Sequence, residues 1–246
     1  MNKKPFELNA LVLHLTAMAA MLLDHMWATV TPGNLWMNCV GRIAFPIFAF
    51  LIVEGYFHTR DIRRYLLRLL LLALLSEIPF NLMNGGSIIY PYGQNVIWTF
   101  LIALLCICGM ERARESGSRG KWVLASLGYT LLGLLAGLLL MTDYNAAGVL
   151  MVLVFYFFRG RRWYHFAGQL LALYWINAVV IMGMDLPFSI FGHRFFFPTQ
   201  GFALFALLPI WLYRGKQGPH NRAIQYACYA FYPVHILLLS LLALYG

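Results

Sequence analysis

The sequence predicts an all-α, polytopic integral membrane protein, with about nine transmembrane helices in one bundle and a single domain over residues 1–246. Three observations predict it. The chain is 61% apolar and only 11% charged, with a mean hydropathy of +0.71, which excludes an ordinary soluble domain. Leu-rich runs long enough to cross a bilayer recur from one end to the other. Finally, 16 of the 18 Lys and Arg residues fall in alternate connecting segments, the bias that sets membrane orientation.

The spans are expected at 8–30, 36–57, 65–82, 94–110, 122–141, 145–158, 165–182, 199–213 and 226–245. Lys3 and Lys4 precede the first, and "AMA" at 17–19 has the small-x-small form of a cleavage site. Its apolar run continues to Val30, too long for a signal-peptide core, so a retained helix is expected. The sixth span, about 14 residues, is the shortest for a crossing. With the N-terminus inside, the inner segments carry Lys3 and Lys4; Arg60, Arg63, Arg64 and Arg68; Arg112, Arg114, Arg119 and Lys121; Arg159, Arg161 and Arg162; and Arg214, Lys216 and Arg222. The outer loops 31–35, 83–93 and 142–144 carry none. This alternation places the N-terminus in the cytoplasm and the C-terminus outside, and it explains the net charge of +9 without a nucleic-acid partner. Four cysteines, Cys39, Cys106, Cys108 and Cys228, lie in apolar segments without metal spacing, so neither a disulfide framework nor a metal site is expected.

Two basic residues break the rule: Arg42, early in the second span, and Arg194, in the outer loop 183–198. On this topology most intramembrane polar groups sit toward one side. Asp24 and His25 end the first span and Arg42 opens the second. Glu77 and Asn81 share a face of the third. Asn95 and Thr99 begin the fourth, and Asp143 and Tyr144 fill an outer turn. His193 and Arg194 occupy the last outer loop, and His235 lies near the middle of the ninth span. Ionisable groups in a span cost roughly 2.5–3.5 kcal/mol each, so they normally face a bundle interior or a wet cavity. Any one of Asp24, His25 and Arg42 is equally well read as an interfacial ion pair, but so many helices contributing points to a site. Glu54, near the inner end of the second span, is expected to pair with Arg60 or Arg64. Pro46 in "GRIAFPIF" leaves the Arg42 carbonyl unpaired, and Pro233 in "FYPVH" does the same to Tyr229, so a kink or break is expected at each.

Asp24 and His25 diverge by about 100° on a helix and make a poor direct pair. Asp24 is better placed to hold Arg42, leaving His25 or His235 to handle a proton. Arginine also stabilises an oxyanion or grips a phosphate. No activated-serine elbow, P-loop or His-x-x-x-His pair is present. Two classes remain: an intramembrane transferase with histidine acid/base chemistry, and a small-molecule or proton-coupled carrier. The lack of a clear internal repeat counts mildly against the carrier.

The blocks "LLDH" (22–25), "GRIAFPIFAFLIVEGYFHTR" (41–60), "YLLRLLLLALLSEIPFNL" (65–82), "GQNVIWTF" (93–100), "DYNAAGVLMV" (143–152) and "FYPVH" (231–235) together resemble the TraX family of pilin-acetylation-type proteins. The second block is the most specific; the "FPIFAF" segment also resembles a helix of the wider transmembrane acyltransferase superfamily. The resemblance implies transfer of an acetyl or other acyl group from acetyl-CoA or a similar donor. It implies an acceptor amine or hydroxyl on a protein N-terminus, a glycan or a small molecule. The compact loops favour a multi-pass protein of the bacterial cytoplasmic membrane, and the lack of metal-ligand spacing leaves no metal expected. The positions it marks are Asp24, His25, Gly41, Arg42, Phe45, Pro46, Asn95, Asp143 and His235. On that basis His25 is the expected base and His235 its competitor, and Asp24 orients Arg42. Arg42 with Asn95 is expected to stabilise the acyl oxygen. Glu77, Asn95, Asp143 and Tyr232 are expected to contact substrate, while Gly41, Phe45, Pro46 and Pro233 shape the backbone. Arg64 and Arg68 are expected near the CoA phosphates.

Overall fold

The computed structural model describes residues 8–219 and 221–245; Lys3 and Lys4 lie outside them. Its ten α-helices are, in chain order, α1 (Ala10–Thr29), α2 (Leu35–Gly41), α3 (Ala44–His58), α4 (Ile62–Gly85), α5 (Val96–Glu115), α6 (Arg119–Leu139), α7 (Asn145–Phe157), α8 (Trp163–Tyr174), α9 (Leu207–Leu212) and α10 (Arg222–Tyr245). A π-helical stretch, Trp175–Ile181, continues α8, and a 3-10 stretch, Thr199–Ala206, leads into α9. Helix starts obey local chemistry: Asn9, Asp61, Asn95 and Ser118 accept hydrogen bonds from first-turn amides of α1, α4, α5 and α6.

Among the described residues, seven helices are long and apolar enough to cross a membrane, with α2–α3 and α8 plus its π stretch each forming one. The protein is a polytopic, helical membrane protein. The remaining two expected spans, the sixth and the eighth, correspond to the shorter Asn145–Phe157 and Thr199–Leu212. Helix α7 is enclosed along Gly148–Tyr156, where all but Leu150 are buried, which suits a short helix inside a bundle better than one against lipid. It packs with α3, α5, α6 and α8, and Ile47, Val53, Leu104, Ile107, Val152 and Leu153 form the middle of the core. Helix α6 instead turns Leu124, Leu127, Leu131, Leu135 and Leu138 outward, a surface that water would not tolerate and a bilayer does.

Two expectations change and one, the break near Pro46, holds. The loop 183–198 contains an antiparallel β-hairpin, Asp185–Ile190 paired with His193–Pro198. Phe191 and Gly192 form its two-residue turn with φ of 49° and 80°, the positive values that such turns require. Arg194 and His193 are exposed on its second strand, apart from the polar network around Arg42. The second span breaks at Arg42–Ile43, just ahead of Pro46, which sits in the first turn of α3 where its missing N–H costs little. Pro233, by contrast, does not interrupt α10, which runs unbroken from Arg222 to Tyr245.

Candidate functional site

The break at Arg42 places a guanidinium among three helices. Its Nη2 donates to Asp24 Oδ1 on α1, its Nε to the Asn38 carbonyl at 3.3 Å, and its Nη1 to Gln200 Oε1 at 3.1 Å. Asn38 Nδ2 donates to the same Asp24 oxygen at 2.9 Å. Gln200 Nε2 in turn donates to Asn177 Oδ1 at 3.0 Å, and Asn177 Nδ2 to the Leu173 carbonyl at 2.8 Å. One polar chain thus ties α1, the α2–α3 break, the 3-10 stretch and the π stretch together. Its approach depends on Gly41: a β-carbon there would collide with the Asp24 side chain.

Asp143 and Tyr144 occupy the turn between α6 and α7, within electrostatic reach of Arg42. Tyr144 and Asn145 have φ of 60° and 48°, a strained left-handed pair for residues other than glycine. The turn is held from several sides. Asp143 N donates to the Gln94 carbonyl at 2.9 Å, Thr99 Oγ1 to the Asp143 carbonyl at 2.7 Å, and Tyr144 N to Asp143 Oδ1 at 3.0 Å. Phe45 stacks on Tyr144 at 4.3 Å and on Phe100 at 5.3 Å. Burial pushes the Asp143 carboxyl up to about 6, against the opposing pull of Arg42.

His25, one residue from Asp24, faces α10. Its Nδ1 lies 2.8 Å from His235 Nε2, and the two rings are nearly parallel at 7°. His235 Nδ1 lies 2.6 Å from the Phe231 carbonyl. A carbonyl only accepts, so His235 Nδ1 carries hydrogen. In the neutral ring its Nε2 is then an acceptor, and His25 Nδ1 must donate to it. Each ring then keeps one unprotonated nitrogen: His235 Nε2, which accepts from His25, and His25 Nε2, which has no protein hydrogen-bond partner among the described residues.

Glu77 and Asn95 form a separate group. Asn95 Nδ2 donates to Glu77 Oε2 and, at 2.9 Å, to the Ala73 carbonyl, while its Oδ1 caps the amide of Ile97. Trp98 Nε1 donates to Glu77 Oε2 at 3.1 Å. The expected Arg42–Asn95 partnership is absent, because both amide hydrogens of buried Asn95 are committed within its own group. Tyr232 is buried between the groups, with its hydroxyl at the Val96 amide. Glu54 also differs from expectation: it pairs with Arg159 at 2.7 Å and with His58 at 3.7 Å, while Arg64 pairs with Asp61.

A profile described as TraX protein matches residues 10–243. The chain belongs to the TraX family. It is also 28% identical, over 95% of both chains, to a probable fimbrial assembly protein FimC, serogroup H1, of Dichelobacter nodosus. No solved structure matches.

Within this TraX chain the structure unites Asp24, Arg42, Asp143 and the two histidines, and sets Asn95 and Glu77 aside. Sequence reading missed Asn38 and Gln200 as Arg42 partners. Asn38 lies four residues before Arg42 on one helical face, a usable signal. Gln200 stands just after a strand in "PTQG" and carried none.

Proposed function

We propose that this protein is a membrane acyltransferase, moving an acetyl or other acyl group from acyl-CoA to an acceptor amine or hydroxyl. The observation that carries the reading is the fixed tautomer chain from Phe231 through His235 to His25, which leaves a basic nitrogen one residue from the Asp24–Arg42 pair. His25 Nε2 takes the acceptor proton as the acceptor attacks the thioester carbonyl carbon. Arg42, with three of its five N–H groups engaged by protein, turns the remainder toward the oxyanion. The carbon–sulfur bond then breaks, and the CoA sulfur leaves with the proton returned by His25. His235 positions His25 and sets its tautomer. The fimbrial-assembly relative makes a protein of surface appendages one candidate acceptor. Nine crossings of the bacterial cytoplasmic membrane, N-terminus inside, and one domain complete the proposal, supported by the alternation of arginines along the chain.

The test uses purified protein in nanodiscs with acetyl-CoA, a membrane extract as acceptor pool, and free thiol as readout. Thiol release lost in His25→Ala and only reduced in His235→Ala is expected. Release that survives His25→Ala, or is absent from folded wild type, overturns the assignment.

A further inference from the structure

At the ends of α3 and α7 far from Arg42 and Tyr144, two cavities open side by side and share Arg159. The larger, of about 520 Å³, has aromatic walls from Phe57, Trp122 and Tyr156 and cationic ones from Arg114, Arg119 and Arg159. The start of α6, at Gly117 and Ser118, also faces it, and amides at a helix start attract anions. The smaller, of about 280 Å³, passes from exposed Arg161 and Arg214 to half-buried Phe50 and buried Ile210. Phe50 is eight residues from Arg42, roughly 12 Å along a helix at 1.5 Å per residue. Arg159 stands between the two, gripped by Glu54 at 2.7 Å and lying 4.1 Å over the Phe57 ring.

Membrane orientation explains why arginines gather at this end, but not why they line cavities with aromatic walls. Guanidinium forks recognise phosphates, flat rings stack on a base, and an apolar slot accepts an uncharged chain. We propose that the two cavities form one site for the donor thioester. The phosphorylated adenosine end occupies the larger cavity, and the pantetheine chain runs past Arg159 into the smaller one, toward Phe50. This rests on the acyl-transfer reading for the identity of the chain. The expected Arg64 and Arg68 line neither cavity.

The probes are CoA, 3′-dephospho-CoA and pantetheine, titrated into wild-type protein in phosphatidylcholine nanodiscs. The same titrations are made on Arg119→Gln and Trp122→Leu, both outside the Glu54–Arg159 pair. CoA should bind, dephospho-CoA should bind about tenfold more weakly and pantetheine should not bind, as a charge-assisted bond to the extra phosphate requires. Each substitution should weaken CoA by about tenfold with an unchanged unfolding midpoint. Equal CoA affinity in all three proteins overturns the site. So does a shift in Trp122 fluorescence on moving to phosphatidylglycerol nanodiscs without CoA binding, which assigns the pocket to lipid headgroups. Thiol release with the same KM in Arg119→Gln sinks this site and spares acyl transfer. Arginine-dependent CoA binding without any thiol release does the reverse.

Discussion

Arg42 and Arg159 make the same contact, a guanidinium on the carboxylate of a neighbouring helix, in two unlike settings. Arg42 and Asp24 are 16% and 19% exposed and surrounded by Asn38 and Gln200, so the protein supplies most of the partners. Arg159 is 38% exposed, and cavities lie on both sides of it. An ion pair's role depends on what else reaches it. Arg42, with three N–H groups held by the protein, is fixed in place and keeps two to offer; Arg159, with one held by Glu54 beside open space, is freer to grip something else.

Substitutions can break that contrast, and the largest effect belongs to Arg42. Arg42→Met strands the Asp24 carboxylate and should cost about 3–5 kcal/mol, whereas Arg159→Gln keeps an N–H donor beside buried Glu54, which also has His58 at 3.7 Å, and should cost about 1–3 kcal/mol. Unfolding midpoints in detergent measure both, and equal losses would end the distinction. Glycines sharpen it next. At Gly41 a new methyl meets Asp24, so Gly41→Ala should destabilise by about 1–3 kcal/mol. Gly120, near the start of α6, has open space, so Gly120→Ala should be neutral or stabilising by up to about 1 kcal/mol. The smallest effect is a slope. The Asp143 carboxyl is raised from 3.8 to about 6, so the folded state holds its proton more tightly than the unfolded chain. Stability contributed by that proton is full below about pH 4 and is lost as pH rises through about 6. Asp143→Asn should flatten this part of the stability profile, and an unchanged slope would show that the Asp143 carboxyl is not held in a buried, proton-retaining setting.

Much of this was legible in the sequence, for reasons that differ by residue. Hydropathy located each helix to within a few residues because bilayer thickness sets run length, as in α1 and α5. The Asp24–Arg42 pair was legible because an isolated charge in a span demands a partner. The hairpin was not, since a membrane protein's outer loop was read by charge rather than by the Phe-Gly turn between β-forming residues. Nor was the Glu54–Arg159 pair, because contact between residues 105 positions apart is decided by how α3 packs on α7. The commitment of Asn95 was hidden for a similar reason: capping is local, but its bond to Glu77 requires α4 and α5 to be side by side.

The π stretch after α8 has a consequence for chain length. A π turn holds one residue more than an α turn, so it records where a helix has absorbed an insertion. Asn177 sits inside it and reaches Gln200, which reaches Arg42. Removing one residue ahead of Asn177 would let the stretch close into regular α-helix and turn Asn177 about 100° around the axis, away from Gln200. The residue count of this segment, as well as its side chains, therefore sets whether the polar chain reaches Arg42.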